Sequence, residues 1–309
     1  MTYRTLGASV LTGATAAVAA RLAYRGLTRF PPGGEKAWSR VNHRGEPVTL
    51  LEGPAAVAGA ITASALGSAA LSAAGAYLPR RAQPERGGPD RLRLALGFAG
   101  LGAGAFGVLD DLKGSGKRRG LRGHLGALRD GEVTTGTVKL AGLAATGAVG
   151  AALLRGQDGS RVDVAVNAGL IAGGANLLNL FDLRPGRAIK VGALSATLIS
   201  GLSTAAGRPA VGAAAVAAPV GAALAVLPED LGERAMLGDA GANALGAMLG
   251  VAAAAALPRP ARIGLLAGII ALTGLSEKVS FTKVIARTPA LNWLDMLGRR
   301  APASGTTST

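Results

Sequence analysis

The chain has 309 residues, of which 49% are hydrophobic and only 17% charged, with a mean hydropathy of +0.36. Soluble domains carry about 25% charged residues, and here the deficit lies in long uncharged runs separated by short basic clusters. That pattern excludes a disordered chain, a coiled coil and an ordinary soluble globule, and points to a polytopic membrane protein. The net charge of +15 would suggest nucleic acid in a soluble protein. Between apolar runs, the tendency of cytoplasmic loops to be basic explains it more simply, so no nucleic-acid partner is expected. The chain has no cysteine, hence no thiol nucleophile or thiolate metal site. Its two histidines, His43 and His124, are too few for multi-histidine zinc chemistry. The excess of Arg over Lys and the many Ala and Gly residues fit a GC-rich bacterial coding sequence.

A membrane-spanning helix needs about 20 mostly apolar residues. Taken in order, the uncharged runs are 6–20, 54–78, 94–109, 140–154, 164–181, 191–207, 209–228, 240–258 and 263–276. They predict an all-α transmembrane bundle of about nine or ten spans. The first run follows Arg4 and ends in Ala-Val-Ala-Ala, like a cleaved signal peptide; it is read as an uncleaved helix because the later spans need a first crossing. Residues 1–276 form the membrane domain. Residues 277–309 form a cytoplasmic tail with a short amphipathic segment, 291–297, and a disordered end. With nine spans, the connections 21–53, 110–139, 182–190, 229–239 and the tail share one side, and they hold 22 of the 33 basic residues. The bias assigns that side to the cytoplasm and the N-terminus to the outside. Gly100–Gly104 and Gly169–Gly173 have the spacing that lets membrane helices approach closely. Packing within the chain accounts for them, and a homodimer stays open.

The few acids sit at the ends of apolar runs, where charge at membrane depth is costly and points to function. Asp110 and Asp111 end the third run. Adjacent like charges at a helix C-terminus repel and oppose the dipole; a Mg²⁺ ion is a good candidate to compensate, since it is usually held by one or two carboxylates plus phosphates. Read alone, the pair is better taken as a polar stop answered by Lys113 and Lys117. Asn176, Asn179 and Asp182 share one helix face at the end of the fifth run, as a ligand site or an interhelical hydrogen-bond network would. Asp239, between Gly238 and Gly241, precedes the eighth run as an N-cap would. Together the three sites fall on one membrane face. One cleft would then collect Asp110, Asp111, Asp182 and Asp239 among Lys113, Lys117, Arg118, Arg119, Arg122 and Arg187. Acids for a metal beside bases for phosphates suit phosphoryl transfer.

In this order the segments resemble the polyprenyl-phosphate N-acetylhexosamine-1-phosphate transferases, the superfamily that includes phospho-N-acetylmuramoyl-pentapeptide transferase. Phe106-Gly-Val-Leu-Asp110-Asp111 resembles its Asp-Asp motif, and Asn176-x-x-Asn179-x-x-Asp182 its Asn-x-x-Asn-x-x-Asp motif. Leu237-Gly-Asp239-Ala-Gly-Ala resembles its Gly-Asp-x-Gly-Ser motif, and Gly120-Leu-Arg122-Gly-His124 the basic stretch after the paired acids. The segment from Asn42 to Pro54 resembles the early cytoplasmic loop. The likeness covers about residues 40–250 and implies a multi-pass bacterial plasma-membrane enzyme with its site facing the cytoplasm. It implies transfer of a sugar-1-phosphate from a UDP-N-acetylhexosamine to polyprenyl phosphate in cell-wall or related polysaccharide synthesis, with UMP leaving. By motif, Asp111 and Asp239 would bind Mg²⁺, or Mn²⁺ in its place, and Asp110 would join them or activate the lipid phosphate. Lys113, Arg122, His124, Asn176, Asn179, Asp182 and Arg187 would contact substrate.

The chain also departs from the pattern. Asp182 is followed by Leu-Arg-Pro-Gly, without the family's second acid, and residues 276–283 contain no histidine where the family has a His-rich loop. The donor side is therefore altered. The rival expectation is a catalytically degenerate homologue that binds lipid phosphate or acts as a scaffold.

Overall fold

The computed structural model of the protein describes residues 3–73, 89–114, 123, 126–127, 129–155 and 159–300. The long helices are α1 (Tyr3–Arg29), α3 (Glu52–Ala73), α4 (Pro89–Lys113), α5 (Thr135–Leu154), α6 (Arg161–Phe181), α7 (Arg187–Ala205), α8 (Pro209–Leu231), α9 (Gly238–Ala256) and α10 (Arg259–Ser276). Short helices include α2 (Glu35–Trp38), α11 (Phe281–Arg287) and α12 (Pro289–Met296). Local signals start several of them: Thr134 Oγ1 accepts from Thr137 N before α5, and Ser160 Oγ accepts from Asp163 N before α6. Proline sits in the first turn of α8, where its missing N–H costs nothing.

Seven of these helices are long and apolar enough to cross a membrane: α1, α4, α5, α6, α7, α8 and α9. The number is eight if α10 and α11, bent by 96° across a short break, act as one broken span. Sequence reading puts the spans at nine. The difference lies at α3 and α10. The run 54–78 is helical as far as Ala73 and its end lies outside the described residues. The α10 helix has only 18 residues and begins with Arg259 and Arg262.

The observed contacts put the ends of α4, α6 and α8 and the starts of α3, α5, α7 and α9 at one end of the bundle: Asp239 N donates to Asp111, Lys139 meets Asp110, Gly53 abuts Gly241, and short links join α6 to α7 and α8 to α9. At its centre is α9, packed against α3, α4, α5, α6, α7 and α8. Every residue from Ala240 to Ala256 is buried. Its Ala- and Gly-rich sequence permits this, because small residues let backbones touch: a Cβ on Gly174 of α6 would lie 2.8 Å from the Gly246 carbonyl oxygen.

A small element was not foreseen. Strands β1 (Ser39–Val41) and β2 (Pro47–Thr49) pair antiparallel. Asn42 Oδ1 accepts from the backbone N of Arg44 and Glu46, and Gly45 takes a φ of 82° to close the turn. The hairpin is pinned to the bundle through Met236 N to Thr49 O, 3.0 Å.

Candidate functional site

The site grows from the N-terminus of α9. Backbone N–H groups there point out of the helix without intrahelical partners. Asp111, in the last turn of α4, takes two of them: its Oδ1 accepts from Asp239 N at 3.1 Å and its Oδ2 from Ala240 N at 2.9 Å. Asp182, the residue that ends α6, accepts from Gly238 N. Two carboxyl side chains from two other helices thus cap the central helix. Gly238 has a φ of +63°, and a Cβ there would lie 3.1 Å from Asp111 Oδ2. Gly107, one turn before Asp110, lets the α4 backbone lie against Asp239.

Asp110 and Asp239 face one cation. Lys139 Nζ lies 2.8 Å from Asp110 Oδ2 and 2.5 Å from Asp239 Oδ2. The three side chains are only partly exposed, at 12% for Lys139, 17% for Asp110 and 23% for Asp239, so the cluster is reached from solvent but mostly enclosed. Arg40 of β1 donates to the Asp111 carbonyl and ties the hairpin to the same end.

Deeper acids continue the cluster. Glu52, at the start of α3, is fully buried and neither of its oxygens has a hydrogen-bond partner among the described residues. Asp182 Oδ2, Asp230 Oδ2 and both amide atoms of Asn243 are also buried and unpartnered. Burial, with Asp230, Asp239 and Asp111 nearby, holds the Asp182 carboxyl well above the usual carboxylate range. A pocket of about 200 Å³ opens beside it, lined by Asn42, His43, Asp182, Arg184, Asp230 and Glu233. Within it, burial and Arg184 push the His43 imidazole below its ordinary value.

No family model matches the chain, and no curated protein matches it.

Of the residues singled out by sequence, Asp110, Asp111, Asp182 and Asp239 come together. Asn176 and Asn179 are partly buried on α6, up the same helix from Asp182. Lys113 is exposed at the end of α4. Arg122 and His124 lie outside the described residues. Arg187 does not face an open cleft: it is buried, with Nε and Nη2 at 2.7 and 3.0 Å from the two oxygens of Asp295 and Nη1 3.0 Å from Thr282 Oγ1. Asp111, expected as a metal ligand, accepts from the backbone N–H groups of Asp239 and Ala240. By sequence Lys139 is a loop charge, because the uncharged run starts at residue 140; the Thr134 cap starts α5 earlier and places Lys139 one turn inside it. Asn243 had a visible signal, being the one polar side chain in the run 240–257.

Among the described residues no three acidic or histidine side chains converge as a metal cage. Two carboxylates do converge on one point, now held by an ammonium. That donor set fits a Mg²⁺ ion completing its shell with water and substrate phosphates, with Asp110 and Asp239 as the residues that would hold it.

Proposed function

We propose that this chain is a multi-pass bacterial plasma-membrane phosphotransferase. It moves a sugar-1-phosphate from a UDP-N-acetylhexosamine-type donor to polyprenyl phosphate, giving polyprenyl-pyrophosphate-sugar and UMP for cell-envelope polysaccharide synthesis. The reading includes nine spans, with the acidic end of the bundle on the cytoplasmic side. One observation supports it above the rest: acids from three distant stretches, Asp110–Asp111, Asp182 and Asp239, meet at the start of the central helix beside a lysine.

In this reading an oxygen of the lipid phosphate bonds to the β-phosphorus of the donor as the bond from that phosphorus to the UMP oxygen breaks. A bound Mg²⁺ supplies charge neutralisation for the pyrophosphate. Asp110 and Asp239 hold the cation. Asp111 and Asp182 fix the α9 terminus that carries Asp239, so they position rather than ligate. Lys139 and Lys113 offer positive charge to phosphate oxygens, which is how proteins stabilise phosphoryl transfer without covalent chemistry. The lipid phosphate is already largely ionised near neutral pH, so no strong base is required.

The test is Mg²⁺-dependent UMP release by purified protein in lipid with polyprenyl phosphate and a panel of UDP-sugars. Activity is expected with wild type and lost, by a hundredfold or more, in Asp239→Asn. No UMP from any donor would favour the second reading, a non-catalytic protein that binds lipid phosphate. The locking of Arg187 by Asp295 is the observation on that side.

A further inference from the structure

The Asp110–Lys139–Asp239 contact has a consequence of its own. Asp110 ends α4, Asp239 begins α9 and Lys139 lies one turn into α5, so one ammonium joins three helices. Without a cation between them, the two carboxylates would repel in a mostly enclosed space, working against the Asp111 cap that ties α4 to α9. The ammonium is therefore a structural counter-ion. It also stands where carboxylate oxygens of two helices come within 2.5 and 2.8 Å of one atom, a little beyond the Mg²⁺–oxygen distance of about 2.1 Å.

Two cations do not share such a point. We propose that Lys139 is a resident counter-ion that keeps the acidic seat assembled and must be displaced before a divalent cation binds, so that lysine and metal compete for Asp110 and Asp239. The inference rests on the metal-dependent reading above. The residue type suits the role. A lysine carries a compact charge on a flexible four-carbon stem, and with 12% of its side chain exposed it has a way out. Neutralising the lysine should tighten metal binding in the absence of substrate, because a like charge leaves the seat. A lysine that stays in place when metal binds keeps its ammonium shielded, whereas a displaced counter-ion exposes it.

The experiment is a Mn²⁺ titration of full-length protein in detergent, read by the electron paramagnetic resonance signal of free Mn²⁺, without substrate. Lys139→Gln should bind Mn²⁺ tighter than wild type by on the order of tenfold or more, the scale set by removing a like charge a few ångströms away. Lys139→Arg, which keeps the charge, should bind no tighter than wild type. A second measurement needs no variant: acetylation of Lys139, quantified by mass spectrometry, should rise when Mg²⁺ is added to wild type. Equal or weaker Mn²⁺ binding by Lys139→Gln overturns the competition while leaving the metal reading intact, and so does Lys139 labelling that falls or stays level with Mg²⁺. Absence of Mn²⁺ binding in all three proteins overturns the metal reading and the competition together.

Discussion

A buried ion pair holds the C-terminal segment to α7, beside the Phe181–Phe281 stack and the Arg300–Glu46 pair, and breaking it has a calculable cost. Arg187 and Asp295 are 5% and 7% exposed at the side chain and meet through two hydrogen bonds. Thr282 Oγ1 takes a third guanidinium N–H, Arg299 lies 2.9 Å from Asp295, and Lys190 Nζ donates to the Leu294 and Asp295 carbonyls. Removing one partner of such a pair costs about 3–5 kcal/mol, because the other charge stays buried and uncompensated. The two ends are unequal. Asp295→Ala leaves Arg187 with only a hydroxyl, so about 3 kcal/mol is expected. Arg187→Ala leaves Asp295 with Arg299, so about 2 kcal/mol is expected. The double variant should cost about 3 rather than 5, a coupling of about 2 kcal/mol. Hydrogen exchange at the α12 amides reads this directly, since 3 kcal/mol is about a hundredfold in the docked-to-undocked ratio. The pH dependence has a definite sign. Burial pushes the Asp295 carboxyl up, but Arg187, Arg299 and Lys190 together bring it below its ordinary value. Docking is therefore at full strength above pH about 4 and weakens as pH falls through the folded-state value. Additive single variants, or exchange in wild type that does not speed up in acid, would refute the reasoning.

Two further changes probe the cap on α9. Gly238→Ala forces a Cβ onto a residue at φ +63°, 3.1 Å from both Asp111 Oδ2 and Leu50 Cδ2; it should cost about 1–2 kcal/mol, read as a lower melting temperature in detergent, and an unchanged value would show that the terminus is not held as described. Asp182→Asn keeps an acceptor for the Gly238 N–H and removes a carboxylate that burial and neighbouring acids disfavour. A carboxyl whose folded-state value is raised costs stability increasingly as pH climbs above the unfolded value of about 3.9. The variant should therefore match or exceed wild type in melting temperature at pH 8, with the gap narrowing toward pH 4; melting below wild type at pH 8 counts against a buried, disfavoured carboxylate.

The gathering of acids was legible because it depends on order and parity. Carboxylates after the third and fifth runs and before the eighth fall on one side of any alternating bundle, whatever the side chains touch. What each acid does was not legible. Asp111 and Asp110 are neighbours in sequence, yet successive residues on a helix point about 100° apart, so one caps α9 while the other meets Lys139. The Arg187–Asp295 pair spans 108 residues, and no local pattern joins them; by its place after Asp182, Arg187 read as a phosphate contact. The hairpin left only a weak trace, Gly45 within a polar loop, because three-residue strands have too few side chains to show alternation. Asn243 and Glu52 were visible as letters but not as buried groups, since burial on every side is a property of the central position of α9 and of the helices packed around it.

The same geometry decides where an anionic substrate is held. A helix N-terminus is a ready site for phosphate when its N–H groups are open. In this bundle the N–H groups of Gly238, Asp239 and Ala240 are already taken by Asp182 and Asp111, so α9 offers a phosphate nothing but the negative surface of its caps. A pyrophosphate approaching this end meets Asp110, Asp111 and Asp239 beside the Lys139 ammonium and the Arg40 guanidinium, an acid-rich field that disfavours it. Under the proposed reaction, then, the divalent cation is what makes the site bind its donor at all. Metal dependence should appear in donor binding as well as in turnover, and the basic residues beyond Asp111, beginning with exposed Lys113, have to hold the part of the donor that the cation does not reach.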